Sequence, residues 1–253
     1  GFHAWDTTTG VHGSSVDLSD SNTKGGTTAY SPDSGAATLI VSSVNDAPVL
    51  DTSESPSLTT INEDLGAPTG TGDLVNAMEV VNLTDGISDV DTGARKGIAI
   101  TGVNSTDGKL FYTLDGGTNW DEVTGASESN ALLLESGNHL YWQPNANANG
   151  SISNAVTIRA WDDTSGEGGE FADTSNNGGT TAFSTATDTV SVTVESVNDA
   201  PTVTAHANFS MSGTNEDTTS GETTVSTLLT GVGYSDADTG DESGIAVTSL
   251  SGN

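Results

Sequence analysis

Three sets of acidic and amide residues recur along this chain, and their types and spacing are those of oxygen donors for a hard cation. The first is Asn45 with Asp46, matched by Asn198 with Asp199. The second is Asn62-Glu63-Asp64, matched by Asn215-Glu216-Asp217. The third is an Asp-x-Asp pair followed by Thr-Gly: Asp89 with Asp91, then Asp236 with Asp238. Side chains alternate along an extended segment, so Asp-x-Asp sends both carboxylates to one side. Two like charges held that close are unfavourable unless a cation lies between them. Calcium suits the task, since it takes roughly six to eight oxygens from carboxylates, amides and carbonyls in flexible geometry. Asp162, which follows Trp161 as Asp6 follows Trp5, is a further candidate ligand.

Other chemistry is poorly served. An EF-hand loop would need Glu at its twelfth position, but counting from Asp89 reaches Ile100 and from Asp236 reaches Val247. Asp173-x-Ser175-x-Asn177-Gly178 opens like such a loop and ends on Ser184, and its counterpart places Lys24 fifth. His3, His12, His139 and His206 show no zinc spacing and do not recur. There is no Gly-x-Ser-x-Gly elbow and no glycine-rich phosphate loop. Paired carboxylates serve glycoside hydrolysis, but the same acids repeated in tandem argue for structure. The expectation is that the chain is not an enzyme.

Composition narrows the partners. The 253 residues carry 35 Asp+Glu against 5 Lys+Arg, a formal charge of -30. Such a chain repels itself unless cations neutralise it. It cannot assemble the basic face that nucleic acid or an anionic membrane requires. With no cysteine, disulfide scaffolds and thiolate metal sites are excluded. Apolar runs such as residues 131–134 are far too short to span a bilayer. Gly1-Phe2-His3 is no signal peptide and reads as a cut into a longer polypeptide.

The elements that would position the acids are short strands. Hydrophobic residues make up 32% of the chain and fall in alternating strings, which favours a folded all-β chain over disorder. Val190, Val192 and Val194 alternate with Thr and Ser, as Leu39 and Val41 do earlier. Residues 97–103, 109–114, 131–134, 139–142 and 155–161 are further predicted strands. Asp115-Gly116 signals a hairpin. Trp120, Trp142 and Trp161 are expected in the packing rather than on a sugar platform. Helix is not expected; residues 74–81 have only weak helical spacing.

The chain also repeats itself. Ser43-Val44-Asn45-Asp46-Ala47-Pro48 returns 153 residues later as Ser196-Val197-Asn198-Asp199-Ala200-Pro201. Asn62-Glu63-Asp64 recurs at the same offset, and Gly25-Gly26-Thr27-Thr28-Ala29-Tyr30 as Gly178-Gly179-Thr180-Thr181-Ala182-Phe183. Ala4-Trp5-Asp6 recurs at 156, and Asp-x-Asp-Thr-Gly at 147. Constant anchors with small insertions between them are what loop variation on one scaffold produces. Residues 1–46 therefore read as the C-terminal part of one repeat, 47–198 as a complete repeat and 199–253 as the start of the next, a window onto a longer array. The Asn-Asp-Ala-Pro segments are the boundaries, where proline fixes its own φ and keeps the preceding residue extended.

Val-Asn-Asp-Ala-Pro boundaries, an early Glu and a mid-domain Asp-x-Asp resemble cadherin-type repeats. They are most similar to the cadherin-like and Ig-like extender repeats of giant bacterial adhesins of the RTX type, which leave the cell by type I secretion. The resemblance implies tandem β-sandwich repeats of about 150 residues stiffened by calcium between domains, longer than the usual sandwich of about a hundred. It implies Asn45, Asp46, Asn198 and Asp199 as linker ligands. Glu63, Asp64, Glu216 and Asp217 would be ligands from the start of each domain, and Asp89, Asp91, Asp236 and Asp238 ligands at its end or in a loop. The nonapeptide calcium repeat of RTX C-termini is absent. The expected role is a spacer or filament segment of a secreted or cell-surface adhesin. Its partners would be calcium, neighbouring repeats, identical chains in a filament or surface layer, and surface polysaccharide. The alternative is an extracellular module that binds a polysaccharide or a protein.

Overall fold

In the computed structural model, residues 1–204 and 207–249 are described; His206 lies outside them. The chain divides into two compact units, residues 1–44 and 45–253. Strands hold 31% of the residues and helices 8%, so the chain is mostly β.

In the first unit, β1 (Phe2–Trp5) pairs antiparallel with β2 (Tyr30–Gly35), with a bulge between His3 and Trp5. The Trp5 indole donates to the Thr9 carbonyl at 2.7 Å, and Thr8 donates both its amide and its hydroxyl to Asp6 Oδ1. Gly25 and Gly26 make the turn before β2 with φ of 78° and 57°, left-handed backbone that explains this Gly-Gly pair. The alternation at Leu39 and Val41 does not become a strand here. β2 ends at Gly35, and residues 39–41 are each at least 83% exposed. Their counterparts Val192 and Val194 are buried because neighbouring strands and a core cover them. Two strands alone supply no such cover.

The second unit is built from β3 (Val49–Leu50), β4 (Ile61–Asn62), β5 (Met78–Glu79), β6 (Ile87–Ser88), β7 (Gly97–Val103) and β8 (Gly108–Thr113). It continues through β9 (Asp121–Glu122), β10 (Ala131–Glu135), β11 (His139–Pro144), β12 (Gly150–Trp161), β13 (Phe171–Ala172) and β14 (Phe183–Glu195). Six strands form one sheet in the order β13-β10-β7-β12-β14-β4, four form another in the order β5-β11-β8-β9, and β3 pairs with β6. One apolar cluster takes Ile98, Ile100, Leu132, Leu134, Ile158 and Val190–Val194 from the first sheet and Leu110, Leu140 and Trp142 from the second. A smaller cluster takes the intervening positions of the same strands, Ala99, Ala131 and Leu133, with Trp161 and Phe183. Both faces of β10 are thus covered, which is why residues 131–134 read as a continuous apolar run rather than an alternating one. Trp142 and Trp161 are buried, and Trp120 is half-buried with its indole shared between the Gly70 and Gly117 carbonyls. At Gly97 any Cβ would stand 2.7 Å from both the Leu134 carbonyl oxygen and the Trp161 ring, so β7 can approach its neighbours only because that position is bare.

The hydrogen bonds around β1 and β2 reappear at the end of β12. Trp161 donates to the Ser165 carbonyl at 2.8 Å, Thr164 caps Asp162 Oδ1, and Asp162 N–H reaches the Ala182 carbonyl as Asp6 N–H reaches that of Ala29. Arg159 donates to the Ser184 carbonyl where His3 Nδ1 faces that of Ser31. Buried Arg159 also pairs with Glu128 at 2.7 Å.

Two expectations about local structure are refined. The Asp115-Gly116 hairpin forms between β8 and β9, with Tyr112 opposite Asp121, so its loop is longer than a two-residue turn. Asp115 holds that loop by accepting from the backbone and side-chain N–H groups of Asn119 and from the Thr113 hydroxyl. These donors, Asn119 first, lower its pKa to about 2 from the ordinary 3.8. A depressed carboxylate favours the fold above its unfolded value and loses that contribution as pH falls through its folded one. Hydrogen exchange at residues 115–120 is therefore expected to accelerate between about pH 4 and pH 2. Asp115→Asn should flatten that response, and an unaltered profile would show that another group governs the loop. Second, a helix is present: α1 (Val225–Gly231), whose start is capped by Thr224 accepting from Thr227 N–H. At seven residues it is too short to show a helical period. Residues 71–76 and 80–83 form 3-10 turns. Among the described residues no helix is long and apolar enough to cross a membrane.

Candidate functional site

The acidic residues collect around the two Asn-Asp boundaries, both within the second unit. At the first, Asp46 N–H donates to Asp91 Oδ2 at 2.8 Å, and Asp91 N–H to Asp89 Oδ1 at 2.8 Å. The second oxygen of Asp89 is buried with no hydrogen-bond partner. A buried carboxylate oxygen left unpaired is costly unless a water or an ion meets it. Asn45 donates its amide to Asp162 Oδ2 at 2.9 Å and to the Thr181 carbonyl at 3.1 Å, while Ala47 N–H reaches the Gly179 carbonyl. Asp162 is 2% exposed.

The second boundary repeats the aspartate contacts, with the Asn198 amide turned onto the Asp199 carbonyl, and adds a further layer. Asp199 N–H donates to Asp238 Oδ2 at 2.7 Å and Asp238 N–H to Asp236 Oδ1 at 3.1 Å, as Asp46 and Asp91 do. Thr202 pairs with Ser235 in the register of Val49 with Ser88. Here Tyr234 donates its hydroxyl to Asp236 Oδ2, the oxygen whose counterpart on Asp89 is orphaned. Residues of the preceding strands close in from the other side. β4 runs parallel to the end of β14, with Ile61 beside Val194 and Asn62 beside Glu195. That pairing carries the early Glu63 to the far end of the sheets, where it is 3% exposed and accepts from Val197 N–H and the Asn149 amide. Asp64 adopts φ 64° and accepts from Asn147 N–H, and the Asn147 amide reaches Asp199 Oδ2 at 2.8 Å.

No family model, curated protein or solved structure matches the chain.

The side chains gathered at both boundaries are carboxylates and carboxamides, whose oxygens suit a hard divalent cation rather than a soft one. With the orphaned Asp89 oxygen, that chemistry fits calcium. Among the described residues, no three acidic or imidazole groups stand close enough together to hold an ion as they are placed. The electrostatics of the second boundary are nonetheless those of crowded anions. Partial burial of Asp199 raises its pKa, and the carboxylates of Asp64, Asp238, Glu63 and Asp236 raise it further. The same carboxylates that disfavour a second anion favour a cation.

The structure places the sequence-derived candidates differently from their sequence order. Asp89, Asp91 and Asp162 gather with Asn45 and Asp46, whereas Glu63 and Asp64 gather with Asp199, Asp236 and Asp238. Asn198 lies at the second boundary with its amide turned onto the Asp199 carbonyl. Glu216 and Asp217 do not meet Asp199; they sit exposed in a turn closed by Thr218 N–H on the Asn215 carbonyl. Glu63, which likewise follows a boundary, meets Val197 just before the later one rather than the groups of its own. Asn147 and Asn149 were not singled out as site residues from sequence, although Asn145-Ala-Asn147-Ala-Asn149-Gly150 puts amides at a spacing of two.

Proposed function

We propose that the chain is a run of tandem β-sandwich repeats stiffened by calcium, serving as a spacer or filament segment of a large secreted or cell-surface adhesin. The observation that carries this reading is the setting of Asp199. Its carboxylate accepts from the side chain of Asn147, whose own N–H is held by Asp64, and its backbone N–H donates to Asp238 of the following segment. A cation bound among these oxygens would tie the two sides of a proline-flanked linker together and remove its hinge freedom. The recurrence of the same hydrogen bonds at Asp46 supports a repeating design. The charge of -30 supports a calcium-rich, extracellular setting in which neighbouring repeats, and identical chains beside them, are brought together by divalent ions. The same acids recurring at two boundaries favour a structural role over catalysis.

A second reading, a module that binds a polysaccharide or a protein, draws on a cleft of about 270 Å³ flanked by Arg95, Lys96, Glu135 and Asp163. Trp161 lines that cleft but is itself buried, which leaves the spacer reading ahead. Calorimetric titration of calcium into the chain tests it directly. Saturable binding at millimolar calcium or below is expected, weakened at least about tenfold by the pair Asp46→Asn and Asp199→Asn, since affinity follows ligand charge. A chain that takes up no calcium at ten millimolar would overturn the proposal.

A further inference from the structure

The two boundaries share one chain of aspartate hydrogen bonds and differ in charge over the residues that follow it, where Ala94-Arg95-Lys96 stands at the first and Asp241-Glu242-Ser243 at the second. Four residues after Asp91 stands Arg95; four residues after Asp238 stands Glu242. The alignment across this stretch is unambiguous, since Asp89-Val90-Asp91-Thr92-Gly93 and Gly97-Ile98-Ala99 flank the one as Asp236-Ala237-Asp238-Thr239-Gly240 and Gly244-Ile245-Ala246 flank the other. With only 5 Lys+Arg in 253 residues, a cation at this place is not background.

Arg95 is also in contact with the other acidic loop of its boundary. Its Nη1 lies 3.1 Å from Asp163 Oδ2. Asp163 has φ 65°, in the left-handed region, and follows Asp162, which receives the Asn45 amide. The contacts close a ring. Asp46 binds Asp91, the Asp91 carbonyl turns back onto Ala94 N–H, Arg95 binds Asp163, and Asp162 binds Asn45, the residue before Asp46. Arg95 is the one cationic link in that ring. As a stability device it counts for little, because its side chain is 72% exposed and such pairs are weak in water. Its charge is another matter: a divalent ion at the first boundary would share the loops with a cation, where the sequence puts Glu242 at the corresponding place of the second.

We propose that Arg95 is a resident cation of the first boundary. It ties together the loops at 89–94 and 162–163 and lowers the affinity of that boundary for calcium. Glu242 raises the affinity at the second boundary, so the two junctions stiffen at different calcium levels. This rests on the reading of both boundaries as calcium sites.

Calcium titration of the full chain at fixed ionic strength tests it, with Asp199→Asn used to read the first boundary alone and Asp46→Asn the second. Arg95→Glu should tighten the first boundary about tenfold and Arg95→Gln about threefold, a grading by charge. Arg95→Lys should keep the parent affinity, although it loses the guanidinium geometry. Glu242→Arg should loosen the second boundary about tenfold. If calcium binds and Arg95→Glu and Glu242→Arg leave both affinities within about twofold, the inference is overturned. If Arg95→Lys weakens or tightens binding as much as Arg95→Gln does, the effect is steric and the inference fails equally. If the parent chain binds no calcium at either boundary, the reading of the boundaries themselves has failed, a result distinct from the other two.

Discussion

Calcium at about a hundredfold excess over its dissociation constants is expected to raise the thermal midpoint of this chain by about 10–20 °C over chelator. The size follows from linkage. An ion that binds only the folded state contributes about 2.7 kcal/mol per site at that excess. Two occupied boundaries then contribute about 5 kcal/mol, and a chain of this length shifts by roughly 2–4 °C per kcal/mol. The sign follows from the charges. Without divalent ions the fold holds Asp89, Asp91 and Asp162 around one boundary and Glu63, Asp64, Asp199, Asp236 and Asp238 around the other, against a total charge of -30. In the unfolded chain those carboxylates separate and hydrate. Sodium chloride at matched ionic strength isolates the specific part, because screening relieves general repulsion without filling a site. Differential scanning calorimetry of the chain in calcium, in chelator and in matched salt decides the matter. A midpoint indifferent to chelator, or a sodium salt that does as well as calcium, would remove calcium as the stabiliser.

The strands of the sheets were legible because their covering is local in pattern. Residues 97–103 are β7 as expected, and the alternation at Val190, Val192 and Val194 is the core-facing row of β14. The Asp115 turn and the buried tryptophans were legible for the same reason: a turn residue and a large apolar ring carry their own signals. The two-residue strands β3, β4, β5, β6, β9 and β13 were not, since a segment so short has no period. Recurrence picks out the acids in the sequence, but it does not give their grouping in space. Sequence order suggests that Glu216 serves the boundary it follows. For its counterpart Glu63, the parallel pairing of β4 with β14 spans more than a hundred residues and places it beside the later boundary instead. Asn147 and Asn149 escaped because they lie on the β11–β12 connection, and only that long-range pairing brings them to Glu63, Asp64 and Asp199. Positions that depend on one long-range contact are invisible to any local count.

Asp199→Ala should release the second boundary while leaving the sheets of residues 47–198 folded. Asp199 contributes its carboxylate to Asn147 and its amide to Asp238, so it is where the preceding strands and the following segment meet. Removing the carboxylate deletes the link to Asn147 and one anionic ligand of the proposed ion. About tenfold weaker calcium binding at this boundary is expected from the lost charge. The apolar clusters do not involve this residue, so far-ultraviolet circular dichroism and the protection of β7, β10 and β12 amides should stay unchanged. Small-angle scattering in calcium should instead show a broader range of maximum dimension, because the linker regains a hinge. Asp217→Ala is the matched control: it removes the same charge from an exposed turn that the structure keeps away from Asp199. Scattering from the Asp217 variant should overlay that of the parent chain. If the Asp199 variant is as extended in calcium as the parent, the linker is held by backbone geometry and the ion is not its brace. If the Asp217 variant loosens as much as the Asp199 variant, general charge rather than a sited cation sets the stiffness.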